Sequence, residues 1–474
     1  MIVYSFESSR ALESKSEYGY LMVGFLCRKI RAVCLSPIPT MREGKWPLVL
    51  TLIFLVACEL FLPGRGLAQS FSNTGIFYFT GAHNPRRSQF FREFMAGPGV
   101  GDGLKVGPVR LHPFLGVAEV YSDNVFRRDT NRRSDFLTTI APGLQAFLPF
   151  GGGQHSILLD YRAAQFLYNK FSENNALAQD AQGHVSLNFP SGLKLDFQGG
   201  HIEGFDPRGS EVDTQQRNIT KWNTNSFLSE VEFFGPKFGI DIRSSYADLH
   251  YKNNGQAAPR DRIMADVRLT LHARMTPSTS VLLGALIQNI DYDKNNQLDS
   301  FTYGVFTGFR LAPERQLSGS FRIGYNILNY DRAPQEQPPG SNLSSGGNKR
   351  TSLYMTGNLF WNPTSRLSIR AQPFSSIQQS AVQNTETFRR TGVTIYGNQD
   401  LTDRIALREQ FYYANDNFDT NRTDNRFVLR VGPQYRTLKW LGFRLDYIFE
   451  KRTSNESNFK FYSNTVMLSI QGIL

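Results

Sequence analysis

From about residue 110 to residue 474 the chain alternates apolar and polar side chains with a period of two. Ile157, Leu159, Tyr161 and Ala163 interleave with Ser156, Asp160, Arg162 and Ala164. Ile263, Ala265, Val267, Leu269, Leu271 and Ala273 interleave with Asp266, Arg268, Thr270, His272 and Arg274. Leu441, Phe443, Leu445, Tyr447 and Phe449 interleave with Arg444 and Asp446. Successive side chains of a strand point to opposite faces, so each stretch predicts a strand with one apolar and one polar face. Helical spacing would mix the two sets.

The connections alternate as well. Short ones, rich in turn formers, fall at 149–153, 190–192, 235–237, 276–278, 312–315, 362–365, 401–403 and 438–440. Long polar ones fall at about 122–134, 169–180, 205–221, 252–261, 294–299, 331–350, 375–387, 415–425 and 452–458. Nine long and eight short connections separate eighteen strands, within a range of about 16–20. The series begins and ends on a long loop, so both ends of the barrel chain lie on the short-turn side, the periplasm in outer-membrane barrels. Strands of about 10–14 residues suffice for a tilted bilayer crossing. An open edge in lipid would leave backbone groups unpaired, so the sheet must close. The fold class predicted is all-β, a closed antiparallel transmembrane β-barrel. No repeat of the ~40 residues expected of a propeller is present. Phe166, Tyr168, Tyr246, Tyr292, Tyr325, Tyr330, Tyr412, Tyr413, Tyr447 and Phe449 gather near strand ends. They fit an interfacial aromatic girdle, or the ordinary preference of strands for aromatics.

Composition agrees. The chain is 13% aromatic with a mean hydropathy of −0.35, as expected of a wall with one greasy and one wet face. Its three cysteines, Cys27, Cys34 and Cys58, all precede residue 59, which suits export to an oxidising compartment. The net charge is +11, yet no helix-turn-helix, finger or basic helix points to nucleic acid.

Residues 1–68 read as a leader containing a signal peptide. A short charged region from Met41 to Lys45 precedes an apolar run beginning at Trp46 and a small-residue end at Ala68. The alternatives are cleavage after Ala68 or before Cys58, with 1–40 an upstream extension to a start at Met41. Residues 69–108 form a periplasmic N-terminal segment, whether tail, plug or docking arm. Residues 109–474 form the outer-membrane barrel. In the final strand Tyr462, Val466, Leu468, Ile470 and Leu474 share an apolar face; the last residue is Leu474 where such barrels typically end in an aromatic.

The stretch from Phe114 to Phe126, with Tyr121-Ser122-Asp123-Asn124-Val125-Phe126, is followed by Asp135-Phe136-Leu137-Thr138-Thr139-Ile140-Ala141-Pro142-Gly143-Leu144. This pair resembles the opening hairpin of the putative beta-barrel porin 2 family. The resemblance implies an outer-membrane barrel, and for many members a link to exopolysaccharide export.

If the apolar register faces lipid, the other register faces the interior. It carries Arg162, Arg243, Arg268, Arg274, Arg310, Arg322, Arg370, Arg408, Arg430 and Arg444, against Asp160, Glu230, Glu232, Asp241, Asp266 and Asp446. These ten arginines are the candidate substrate-binding lining, because guanidinium forks match carboxylate, sulfate and phosphate groups. The same charges could instead pair across strands and brace the wall. The function predicted is an outer-membrane channel for exopolysaccharide or another anionic solute. The alternatives are a general nutrient porin and a structural or adhesin barrel. The loop at 331–350 would serve as a lid or a surface epitope. An outer-membrane hydrolase is disfavoured, because the histidines show no local Ser or Asp signature and Gly-x-Ser-x-Gly is absent. No catalytic residue, metal ligand or cofactor is expected. Expected partners are outer-membrane lipid, the barrel-insertion machinery, anionic polysaccharide and periplasmic export proteins.

Overall fold

The computed structural model describes residues 103–206, 208–209, 219–252, 261–293, 299–312, 315–330, 349–379, 387–418 and 421–474. The expected leader, the segment 69–102 and nearly all of the 331–350 loop lie outside the described residues.

A three-residue strand, β1 (Leu104–Val106), precedes the wall. The wall runs through β2 (Val109–Ser122), β3 (Asp135–Phe150), β4 (His155–Tyr168), β5 (Ala176–Asn188), β6 (Leu193–Phe205) and β7 (Lys221–Phe234). It continues through β8 (Phe238–Tyr251), β9 (Arg262–Thr276), β10 (Thr279–Tyr292), β11 (Ser300–Leu311), β12 (Leu317–Tyr330) and β13 (Lys349–Thr364). It ends with β14 (Leu367–Gln379), β15 (Thr387–Asp400), β16 (Ile405–Phe418), β17 (Thr423–Leu438), β18 (Leu441–Ser454) and β19 (Phe461–Ile473).

Each strand from β2 to β19 pairs antiparallel with the next, and β19 pairs back onto β2, so eighteen strands close into a barrel. Every expected long and short connection is found in its expected order. The agreement has a local cause: Gly, Pro and Asn punctuate the short turns, and alternation fixes which face each residue takes. No described helix is long and apolar enough to cross a membrane; the crossing elements of such a fold are strands.

The outward register is apolar and open. Leu159, Tyr161, Leu269, Leu283, Val305, Leu445, Leu468 and Ile470 all stand exposed on the outer face. The expected girdle divides. Tyr325, Tyr413 and Tyr447 face outward, whereas Phe166, Tyr292, Tyr330 and Tyr412 face inward and are buried. Strand parity is the reason: neighbours such as Tyr412 and Tyr413 cannot share a face. The inward rings follow the general aromatic preference of strands and are no part of a lipid belt.

The inward register is not uniformly polar. Near the long-loop rim Val120, Leu137, Ala164, Phe166, Ala178 and Met467 form an apolar patch, on which Phe205 at the end of β6 and Ile219 of the β6–β7 connection pack. Ile202, Trp222, Leu249 and Tyr251 form a second patch, and Met264, Ile290 and Tyr292 a third. Loop residues therefore turn into this end of the barrel.

The seam between β2 and β19 is closed at both rims. At the long-loop rim the Asn464 backbone N–H and side-chain Nδ2 donate to the two Asp123 carboxylate oxygens, each at 2.7 Å. At the short-turn rim the Leu474 N–H donates to the Pro113 carbonyl at 3.1 Å.

Candidate functional site in the barrel interior

All ten arginines expected to line the interior lie on the inward register, but they fall into two groups. Arg162 holds Asp160, two residues along β4, with Nε–Oδ1 at 2.7 Å. Arg430 donates to Asp446 through Nε at 2.8 Å and Nη2 at 2.7 Å, and Arg444 donates to the same carboxylate at 2.9 Å. Arg370 donates to Asn358 at 2.8 Å, and Arg408 to Gln434 at 3.1 Å. These five brace the wall, Arg370, Arg408 and Arg430 across strands and Arg162 and Arg444 along their own.

The other five are held loosely. Arg268 Nη2 stands 3.7 Å from Asp241 Oδ2 and 4.0 Å from Glu230 Oε1, and Arg322 Nη2 stands 4.0 Å from Asp241 Oδ2. Such separations are too long for hydrogen bonds. The guanidinium groups of Arg243, Arg274 and Arg310 make no ion pair or hydrogen bond among the described residues. Arg310 lies over the Phe234 ring at 4.9 Å, and Arg274 stands exposed at the short-turn rim.

A denser basic cluster lies at the long-loop end, on residues that period-two reading did not single out. Arg390 grips Asp416 through two hydrogen bonds of 2.6 Å. Arg422 pairs with Asp424, and Glu450 receives both Arg127 at 2.9 Å and Arg426 at 3.4 Å. Arg452 Nη1 and Arg426 Nη2 donate to the Gly209 carbonyl at 3.0 and 3.4 Å. A point on the β6–β7 connection is thereby fastened to β17 and β18. Arg208 of the same connection donates to Asn174 at 2.9 Å and lies over the Phe126 ring. Parity was the available signal, since Arg426 shares the register of Arg430, and Arg452 that of Arg444. Arg127, by contrast, sits in a loop with a left-handed backbone (φ 54°), where alternation says nothing.

At the long-loop rim of β8–β10, ligand atoms of His250, Asp261 and Asp293 lie within 4.8 Å of one another. His250 Nε2 is also 2.9 Å from Asp248, and Asp261 accepts the Tyr251 N–H at 2.8 Å. They form a charged rim, apart from the inward wall.

The opening hairpin explains its own residues. Asp123 clamps β19 through Asn464. Asn124, fully buried, donates to the Tyr462 carbonyl at 2.8 Å and the Arg128 carbonyl at 2.7 Å. Asp135, at the start of β3, accepts the N–H groups of Lys170 and Phe171 and so ties the β4–β5 connection to the wall. The profile of the family described as putative beta-barrel porin 2 matches residues 98–472.

The chain belongs to that family. Its barrel-closing hairpin is thus the stretch through which the family resemblance is most legible. No curated protein matches the sequence of this porin-family chain. Among solved structures it is similar to the FrpB iron transporter of Neisseria meningitidis, with 10% identity, a TM-score of 0.46, and 78% of this chain and 82% of that one covered. It is also similar to the outer membrane protein opdK of Pseudomonas aeruginosa, with 9% identity, a TM-score of 0.41, and 77% and 98% covered. OccAB2 of Acinetobacter baumannii gives 9%, 0.42, 78% and 99%.

Proposed function

We propose that this barrel porin is an outer-membrane channel that passes anionic solute, exopolysaccharide foremost, through its interior. The reading rests on one contrast: the outward register is apolar and exposed, while the inward register carries more guanidinium groups than its carboxylates neutralise. A wet, positively lined interior within a lipid-compatible wall favours anions. Outer-membrane lipid and the barrel-insertion machinery are then its surroundings. Periplasmic export proteins would deliver the polymer at the short-turn side.

The inward contacts of Arg208, Gly209 and Ile219, the described parts of the β6–β7 connection, favour a second reading, a porin for small nutrients, because they occupy the long-loop end. Reversal potentials in a planar bilayer test the first reading: anion selectivity is expected, and cation selectivity of the purified protein overturns it. Swelling of liposomes in sugars of graded size separates the two readings, since a nutrient porin excludes oligosaccharides that a polymer channel admits.

A further inference from the structure

We propose that the inner wall of β8, β9, β11 and β12 holds a subsite for one carboxylate group of a passing solute, formed by Arg243, Arg268, Arg310 and Arg322. The inference rests on the channel reading above and names the chemistry of one station within it.

The register sets the site. Arg243 and Arg268 are directly paired across β8 and β9, and both point inward. Like charges in such a pair repel, and the pair persists only with compensation nearby. The compensation present is incomplete. Arg268 and Arg322 both approach a single oxygen of Asp241, at 3.7 and 4.0 Å, without a hydrogen bond to it. The Nε atoms of Arg268 and Arg322 have no hydrogen-bond partner. Both side chains keep 16% of their surface open to the interior, so a solute can reach them.

A neighbouring group repeats the pattern. His272, on the same inward face of β9, is only 4% exposed, yet neither ring nitrogen has a partner. Its ring stands edge-on to Phe234 at 4.9 Å, the same ring that Arg310 covers. Across the wall, His272 lies in register with Leu282, Gly308 and Arg322, so no side chain at Gly308 stands between them on β11.

The open forks select the ligand. Four guanidinium groups face the carboxylates Glu230, Asp241 and Asp266, and among the described residues none of the four donates a hydrogen bond to any of them. Lys194, in register with Glu232, is held by Asp196. A carboxylate fits a planar fork bidentately and supplies the hydrogen bonds that these wall carboxylates leave unmade. The contrast with Arg430, whose fork is filled by Asp446 at 2.8 and 2.7 Å, marks these arginines as unspent.

The test is current block in a planar bilayer by trigalacturonate, with neutral maltotriose as the control. Wild-type protein should be blocked by trigalacturonate in a concentration-dependent way. The double variant Arg268→Gln, Arg322→Gln should raise the half-blocking concentration roughly tenfold or more, as loss of charge-assisted hydrogen bonds entails. Its response to maltotriose should not change. Arg322→Lys keeps the charge and loses the fork, so it should weaken block too, which a merely positive interior would not predict. Should the double variant fail to fold, Arg310→Gln alone is held to the same criterion. Equal block in wild type and variants, with anion-selective conductance intact, overturns the subsite and leaves the channel reading standing. Cation selectivity of the wild type overturns both.

Discussion

Arg430 on β17 reaches diagonally to Asp446 on β18 and fills that carboxylate with two hydrogen bonds, both side chains being almost wholly enclosed. Two buried charges that satisfy each other contribute little net stability, but either one left alone is costly. Asp446→Ala should therefore destabilise the barrel by about 3–5 kcal/mol. The double replacement Arg430→Met, Asp446→Leu should cost far less, leaving only the half-buried Arg444 to find water. Urea unfolding in detergent measures both; equal losses would contradict the pairing.

The outer face makes a simpler prediction. Val305 lies mid-strand on β11 and is 64% exposed, the surface a lipid chain would cover. Val305→Arg should cost roughly 2–4 kcal/mol of folding into liposomes. Thr302→Arg, on the opposite face of the same strand, should escape that lipid penalty. Comparable effects at the two positions would reverse the assignment of faces.

Gly143 on β3 lies beneath the Phe114 ring, and a Cβ there would collide with that ring and approach the Tyr161 carbonyl at 2.7 Å. Gly143→Ala should destabilise by about 1–3 kcal/mol through overpacking. Adding Phe114→Ala should recover part of that loss. Thermal shift of the folded band on electrophoresis reads the difference, and strictly additive effects would show that ring and glycine are independent.

The fastening of Gly209 is also testable. Removing both donors, in Arg426→Met with Arg452→Met, takes away charge-assisted hydrogen bonds worth about 1.5–3 kcal/mol each. Single-channel conductance should rise as that point of the connection leaves β17 and β18. Unchanged conductance with intact folding would show that the contact does not set the width of the passage.

Strand number, turn order and facing were legible because they are local. Leu445 and Asp446 declare opposite faces by adjacency alone, and Pro, Gly or Asn marks six of the eight short turns. The ion pairs were not legible in the same way. Arg127 meets Glu450 across 323 positions, and Arg268 and Arg322 converge on Asp241 only through the stagger of strands far apart in the chain. Alternation placed arginines on a face but could not tell a filled fork from an open one. The inward apolar patches were missed for a related reason. Ala164 and Ala178 look neutral in a pattern of two, and only the loops folding over them make a small core inside the wall.

The seam carries a consequence for how the molecule comes into being. Asp123 and Asn464 are 341 positions apart, and every other contact between β2 and β19 spans a similar stretch. Until the final strand arrives, the wall is a curved ribbon with two raw margins, each presenting a row of unpaired amides and carbonyls. Such margins are intolerable in hydrocarbon. Bending the ribbon shut and entering the bilayer must therefore be one event, timed by the arrival of β19 beside β2.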